Sequence, residues 1–222
     1  MRLKSFGCSF IFGSELADDG REFLFATSSQ LTWPAHLARH LGRTYECHAR
    51  PGSGNLQISE YVLNHAAKAD ANDLFVIGWT WIDRFDYYPN NPNTPRHMQP
   101  WRTIMPIDCD STAQVYWRDL HSEYRDKFAA LSTIKLVIDT LQQKHIPFVM
   151  TYMDRLLFDQ RWHTSPAVLD LQSCIKPHMR LFEDQTFLEW SRAHGYPEGA
   201  ASHPLEQAHR AAADIMIQAF DN

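Results

Sequence analysis

The sequence predicts one α/β domain built on a parallel sheet with helices on both faces. Three observations predict it. Leu74-Phe75-Val76-Ile77 is a continuous apolar run between Asp73 and Gly78, as in a strand buried on both faces. Strand-like runs alternate with segments of helical period along the chain. The 222 residues, 44% hydrophobic and 21% charged, fit a single globular domain with a sizeable core.

The elements follow in order. Residues 2–6 end in Phe-Gly, a first strand running into a turn. Over residues 33–41, Trp33, Leu37, Ala38 and Leu41 share one helical face; Thr32 caps that helix, Pro34 suits its first turn and Gly42 ends it. Residues 45–48 form a second strand, and the turn chemistry of residues 50–55 follows. Asn55 is placed to cap the next helix, whose face is Ile58, Tyr61, Val62, His65, Ala66 and Ala69. After the third strand at 74–78, a long helix shows Tyr124, Phe128, Leu131, Ile134, Ile138 and Leu141. Residues 146–152 form another strand, with Pro147 at its start. The final helix begins near Pro204 and buries Leu205, Ala208, Ala212, Ile215, Met216 and Ala219. Residues 79–123 stand apart: several Pro and Asn, tryptophans at 79, 81, 101 and 117, and no sustained period. An insertion of that length at the carboxyl edge of a sheet is expected to be functional, a lid or rim whose tryptophans form a substrate wall or a small core of its own.

Composition excludes several classes. Net charge is −5 with acids and bases mixed, so no nucleic-acid partner is expected. No run approaches the roughly 18 apolar residues of a membrane span. Lys4, Ser5, Gly7 and Ser9 interrupt the apolar N-terminal stretch, which reads as a strand rather than a signal peptide. The four cysteines lack metal spacing, so reduced thiols and a cytoplasmic location are expected. The twelve histidines set no pair on a clear ligand site, and neither metal nor cofactor is expected.

Four local features fall at the ends of strands: Phe6-Gly7-Cys8-Ser9-Phe10, Gly52-Ser53-Gly54-Asn55, Ile77-Gly78-Trp79-Thr80, and Ser202-His203-Pro204 opening the last helix. A parallel sheet brings them to one edge, where they suit acyl transfer. A serine hydroxyl needs a base within hydrogen-bond reach, histidine serves best near neutral pH, and the tetrahedral intermediate needs donors aimed at its oxyanion. The N–H groups of Ser9 and Gly54 are candidates, glycine at 54 allowing close approach of substrate.

In order and spacing this set resembles the SGNH (GDSL-type) hydrolases over about residues 3–217. The resemblance implies a three-layer, flavodoxin-like sandwich with a parallel sheet of about five strands. It implies Ser9 as nucleophile, His203 as general base, and Ser9, Gly54 and Thr80 at the oxyanion hole. It points to an esterase or deacetylase acting through an acyl-serine intermediate on a small-molecule ester, an acylated sugar among the candidates. Cys8 stands where the family has Asp, Thr80 where it has Asn, and Ala200 where it has the triad Asp. Glu198, or a main-chain carbonyl in residues 198–201, is the expected substitute partner for His203. A thiol nucleophile at Cys8 is the local alternative to Ser9. At the level of function the alternatives are a catalytically decayed binding module on the same fold, and a phosphate- or nucleotide-binding domain using the 52–55 loop. Oligomeric state is open.

Overall fold

In a computed structural model the structure describes residues 1–20, 27–70, 72–89 and 101–221, with side chains through residue 218. In chain order the elements are β1 (Arg2–Phe6), α1 (Ser9–Phe12), α2 (Trp33–His40), β2 (Thr44–Cys47), α3 (Asn55–Ala66), β3 (Leu74–Trp79), β4 (Phe85–Tyr87), β5 (Arg102–Ile104), α4 (Ser111–Val115), α5 (Glu123–Gln143), β6 (Phe148–Tyr152), α6 (Pro166–Ile175), α7 (Phe187–Ala193) and α8 (Glu206–Asp221). Strands β2-β1-β3-β6 form one sheet in that order, parallel throughout. The sequence led to about five strands. The fifth place holds one parallel bridge, Met150 with Met179, and the Arg180 N–H donates to the Met150 carbonyl at 2.7 Å. Pro177 and the short helical turn Lys176–His178 leave too little extended chain there for a longer ladder.

Alternation along the strands divides the core into two layers. Phe75, Ile77 and Trp79 face one way, with Ile58 and Val62 of α3, Ile134 and Ile138 of α5 and Val168 of α6. Leu74 and Val76 face the other way, with Trp33 and Leu37 of α2, Trp190 of α7 and Ala208, Ala212 and Met216 of α8. This is the period of two expected of strands buried on both faces. Tyr124 and Phe128, read as core positions of α5, are 39% and 40% exposed; the buried apolar stripe begins at Ala130. The Ala219 side chain lies outside the described residues.

Local chemistry explains the helix starts. Thr32 Oγ1 accepts the Ala35 N–H, and Pro34 sits in the first turn of α2. Asn55 is not the cap of α3: it is the first helical residue, and Gly54 precedes it. Its side chain reaches the end of β3 instead, Oδ1 accepting the Thr80 N–H at 2.9 Å and Nδ2 donating to the Thr80 carbonyl at 3.2 Å.

His209 joins α8 to α2. The ring is buried, and its Nδ1 accepts the Trp33 N–H at 3.1 Å. Burial, with smaller contributions from His36 and His203, lowers its pKa to about 3. The unfolded chain therefore binds this proton first as pH falls. Stability from the neutral ring is complete above about pH 6.5 and is lost progressively as pH drops toward 3. Urea unfolding at stepped pH is expected to show this slope, flattened in His209→Gln; an unchanged slope in that variant would rule His209 out as its source.

The connections that follow β1, β2, β3 and β6 all leave from the carboxyl edge of the sheet. The chain runs from β1 out to β2, then crosses back to β3 on the far side of β1. The crevice between the ends of β1 and β3 is the switch point where ligands of open α/β sheets bind.

Candidate active site

Ser9 lies on the turn after β1, as the first residue of α1, and is 7% exposed. Its N–H has no hydrogen-bond partner among the described residues. Cys8 caps α1 without a side-chain bond, and it is buried in the core layer that also holds residues of α2 and α8. It does not line the cleft that holds Ser9.

His203 arrives from the far end of the chain. Its Nε2 is 2.8 Å from Ser9 Oγ, and its ring lies 4.9 Å from that of Phe10. The loop before α8 closes on itself to present the imidazole: the Gly199 N–H donates to the His203 carbonyl at 2.8 Å, and the Ser202 N–H to the Gly199 carbonyl at 3.0 Å.

The partner of Nδ1 is Glu15, not Glu198. Glu15 Oε2 is 2.6 Å from Nδ1, and the carboxylate also accepts the Ala201 N–H at 2.9 Å. Glu198 points away, held by Arg192 at 2.7 Å. A carboxylate only accepts, so Nδ1 carries the proton toward Glu15 and Nε2 is free to accept from Ser9. Burial pushes the Glu15 carboxyl up, but the Ala201 N–H and His203 outweigh it and hold it below the ordinary range. Glu15 has φ of +72°, a conformation that costs a non-glycine residue about 1–3 kcal/mol. Two bonds hold the turn: the Glu15 N–H donates to Asp19 Oδ2 at 2.8 Å, and the Ala17 N–H to Glu206 Oε1 at 2.8 Å. Gly199 makes room for the acid, because a Cβ there would stand 2.6 Å from the Glu15 carboxylate.

The oxyanion residues expected from the sequence fall differently. The Gly54 N–H donates to Asp86 Oδ1 at 2.9 Å, so it is committed to a side chain and turned from a substrate oxygen. The same carboxylate accepts the Gln57 N–H at 2.9 Å and the Thr103 hydroxyl at 2.6 Å, capping α3 from the β4–β5 hairpin. Burial raises the Asp86 carboxyl, and these donors oppose it. The Thr80 hydroxyl is buried without a hydrogen-bond partner among the described residues, and Thr80 is not on the wall of the Ser9 cleft. Gly54→Ala would set a Cβ 2.5–2.7 Å from the Asp86 carboxylate. That substitution is expected to cost about 2–3 kcal/mol through lost charged hydrogen bonds and crowding; urea unfolding equal to the parent would refute the capping role.

The cleft around Ser9 and His203 has a volume of about 630 Å³. Phe10, Phe12, Trp81, Arg84, Met105 and Ile107 form much of its wall, so residues of the 79–123 insertion border it. Of the four tryptophans only Trp81 does. Trp79 is in the core on the opposite face of the sheet, with Nε1 3.5 Å from Met150 Sδ. Trp101 Nε1 donates to Glu60 Oε2 at 2.5 Å. Trp117 joins the small core of Ile104, Ala113 and Tyr116. Residues 90–100 of the insertion lie outside the described residues. Among the described residues no group of three or more His, Cys, Asp or Glu could hold a metal ion, and no helix is long and apolar enough to cross a membrane.

The doubly covered parallel sheet with these loops at its carboxyl edge matches the SGNH-type hydrolase fold of solved structures. No family model matches the chain, and no curated protein matches its sequence. Solved structures carry the likeness. A lipolytic protein of the G-D-S-L family from Veillonella parvula is 13% identical, with all of this chain and 99% of that one covered at a TM-score of 0.55. A carbohydrate esterase with divergent catalytic and non-catalytic binding functions is 14% identical, with 99% of this chain and 64% of that one covered at 0.57. The acetyl xylan esterase Est2A from Butyrivibrio proteoclasticus is 11% identical, with 99% and 63% covered at 0.53.

Proposed function

We propose that the chain is a serine-dependent ester hydrolase with Ser9 as nucleophile, His203 as general base and Glu15 as the acid that orients it. The observation that carries this reading is the continuous relay of Ser9 Oγ to His203 Nε2 at 2.8 Å and His203 Nδ1 to Glu15 Oε2 at 2.6 Å. Both distances fall in the range for proton transfer and orientation. The structural neighbours named as lipolytic proteins and esterases support it.

The steps follow from the geometry. Ser9 Oγ attacks the acyl carbon while its proton passes to His203 Nε2. The imidazolium is stabilised by Glu15, which stays ionised. The tetrahedral intermediate collapses to an acyl-serine as His203 returns the proton to the leaving alkoxide. Water then attacks the acyl carbon, gives its proton to His203, and the carboxylic acid leaves with the Ser9 hydroxyl restored. The free Ser9 N–H is the proposed oxyanion donor. The insertion at 79–123 is the proposed rim, with Trp81, Met105 and Ile107 gripping the acyl or alcohol part.

A fluorophosphonate probe tests the nucleophile. Phosphonylation at Ser9, found by peptide mass and absent in Ser9→Ala and His203→Ala, is the expected result. An unlabelled, folded wild-type protein would instead favour a decayed binding module, as the committed Gly54 N–H would suggest.

A further inference from the structure

Among the described residues the wall of the Ser9 cleft carries one permanently charged side chain, and it is a cation. Arg84 stands there among Phe10, Phe12, Trp81, Met105 and Ile107. We infer that Arg84 makes the cleft select esters bearing an anionic group, a carboxylate or phosphate, beside the scissile acyl group. The inference rests on the ester-hydrolase reading and names the substrate class of that site.

Arg84 is held from two sides. Its guanidinium lies 4.9 Å over the Trp81 ring, and Nη1 donates to the Ser53 carbonyl at 3.1 Å. A guanidinium stacked on one face and anchored at one nitrogen loses little further freedom when it grips an anion. Its fork of five N–H donors suits the paired oxygens of a carboxylate or phosphate.

Arg84 makes no close ion pair among the described residues, its neighbour Asp83 acting on it only at longer range. Arg2, Arg125, Arg155 and Arg192 each meet a carboxylate within 4.0 Å. Among the described residues no carboxylate comes that close to Arg84. Asp86, two residues on, is committed to Gly54, Gln57 and Thr103. A guanidinium with no close carboxylate, on a wall where Phe10, Phe12, Trp81, Met105 and Ile107 predominate, is poorly matched to neutral acyl chains. The arrangement becomes favourable when the ligand supplies the opposite charge, because the surrounding rings lower the local dielectric.

The matched pair 3-acetoxybenzoate and 3-acetoxybenzamide differs in charge and little in shape. Calorimetric binding is measured on Ser9→Ala, which leaves both esters intact, with and without Arg84→Gln or Arg84→Lys. The benzoate is expected to bind about tenfold tighter than the amide, Arg84→Gln to erase that preference by weakening the benzoate far more than the amide, and Arg84→Lys to restore part of it. Steady-state kinetics with Ser9 present should place the same difference in KM. Equal affinity for the two esters, or a preference that survives Arg84→Gln, overturns the inference. So does an equal fall in kcat for both esters with KM unchanged, which would assign Arg84 to the oxyanion. Failure of hydrolysis itself would appear separately, as wild-type protein that binds the benzoate through Arg84 but turns over neither ester.

Discussion

Ser9→Ala and His203→Ala are each expected to lower kcat for ester hydrolysis about 10⁶-fold, and the double variant to be little slower than either single. The reason is geometric. With Nε2 2.8 Å from Oγ, the two side chains share one proton transfer, and removing either end abolishes the whole step. Single-turnover kinetics on an activated aryl ester would measure all three variants against buffer. Losses that multiplied in the double variant would mean that the residues act independently, and the relay would then be wrong. Circular dichroism and urea midpoints close to the parent would show that the loss is chemical, since both groups lie at the sheet edge and outside the two core layers.

Glu15→Gln is expected to lower kcat about 10⁴-fold with KM little changed. Glutamine keeps the size of the side chain and removes its charge. Its amide can donate toward Nδ1, which would place the proton on Nε2 and block acceptance from Ser9. Gly199→Ala is expected to approach the same phenotype without touching any reacting group, because its Cβ would displace the Glu15 carboxylate from 2.6 Å away. Gly199→Ala with full activity would show that the acid tolerates displacement and is not the orienting group. Glu198→Gln should be nearly silent, since its partner is Arg192. A large loss in that variant would return the orienting role to the loop before α8. The lowered Glu15 carboxyl also gives a sign for pH: its ion contributes stability above the ordinary glutamate pKa, and that contribution is lost as pH falls through the lowered folded value.

Much of this was legible in the sequence, and the limits have physical causes. Ser9 could be read because it follows the end of β1, and His203 because it opens the last helix. The structure places His203 on the loop between α7 and α8, some fifty residues after β6, rather than at a strand end. Leu74–Ile77 announced the central strand because a run buried on both faces needs no polar positions. Glu15 was not legible. It obeys no spacing relative to His203, and only its position six residues after Ser9, just past the Gly13 turn, marks it afterwards. The capture of the Gly54 N–H by Asp86 was hidden for a related reason. Helix caps are sought within a few residues of the helix, whereas this one comes from 32 residues away on a hairpin. Asn55 looked like the local cap, and its amide served the end of β3 instead.

The relay is assembled from two very unequal distances along the chain. Nucleophile and acid belong to one turn after β1, six residues apart, while the base meets them across 194 and 188 residues. The two residues share one local turn, but the base and the contacts that hold the acid both wait for the segment leading into α8 to dock, where His209 receives the Trp33 N–H, Glu206 receives the Ala17 N–H and Glu15 receives the Ala201 N–H. Closing so long a loop is entropically among the more demanding contacts in the molecule. Turnover thus acts as an internal gauge of completed topology: a chain whose terminal helix has come loose would lose its base together with the contacts that hold Glu15, and be silent.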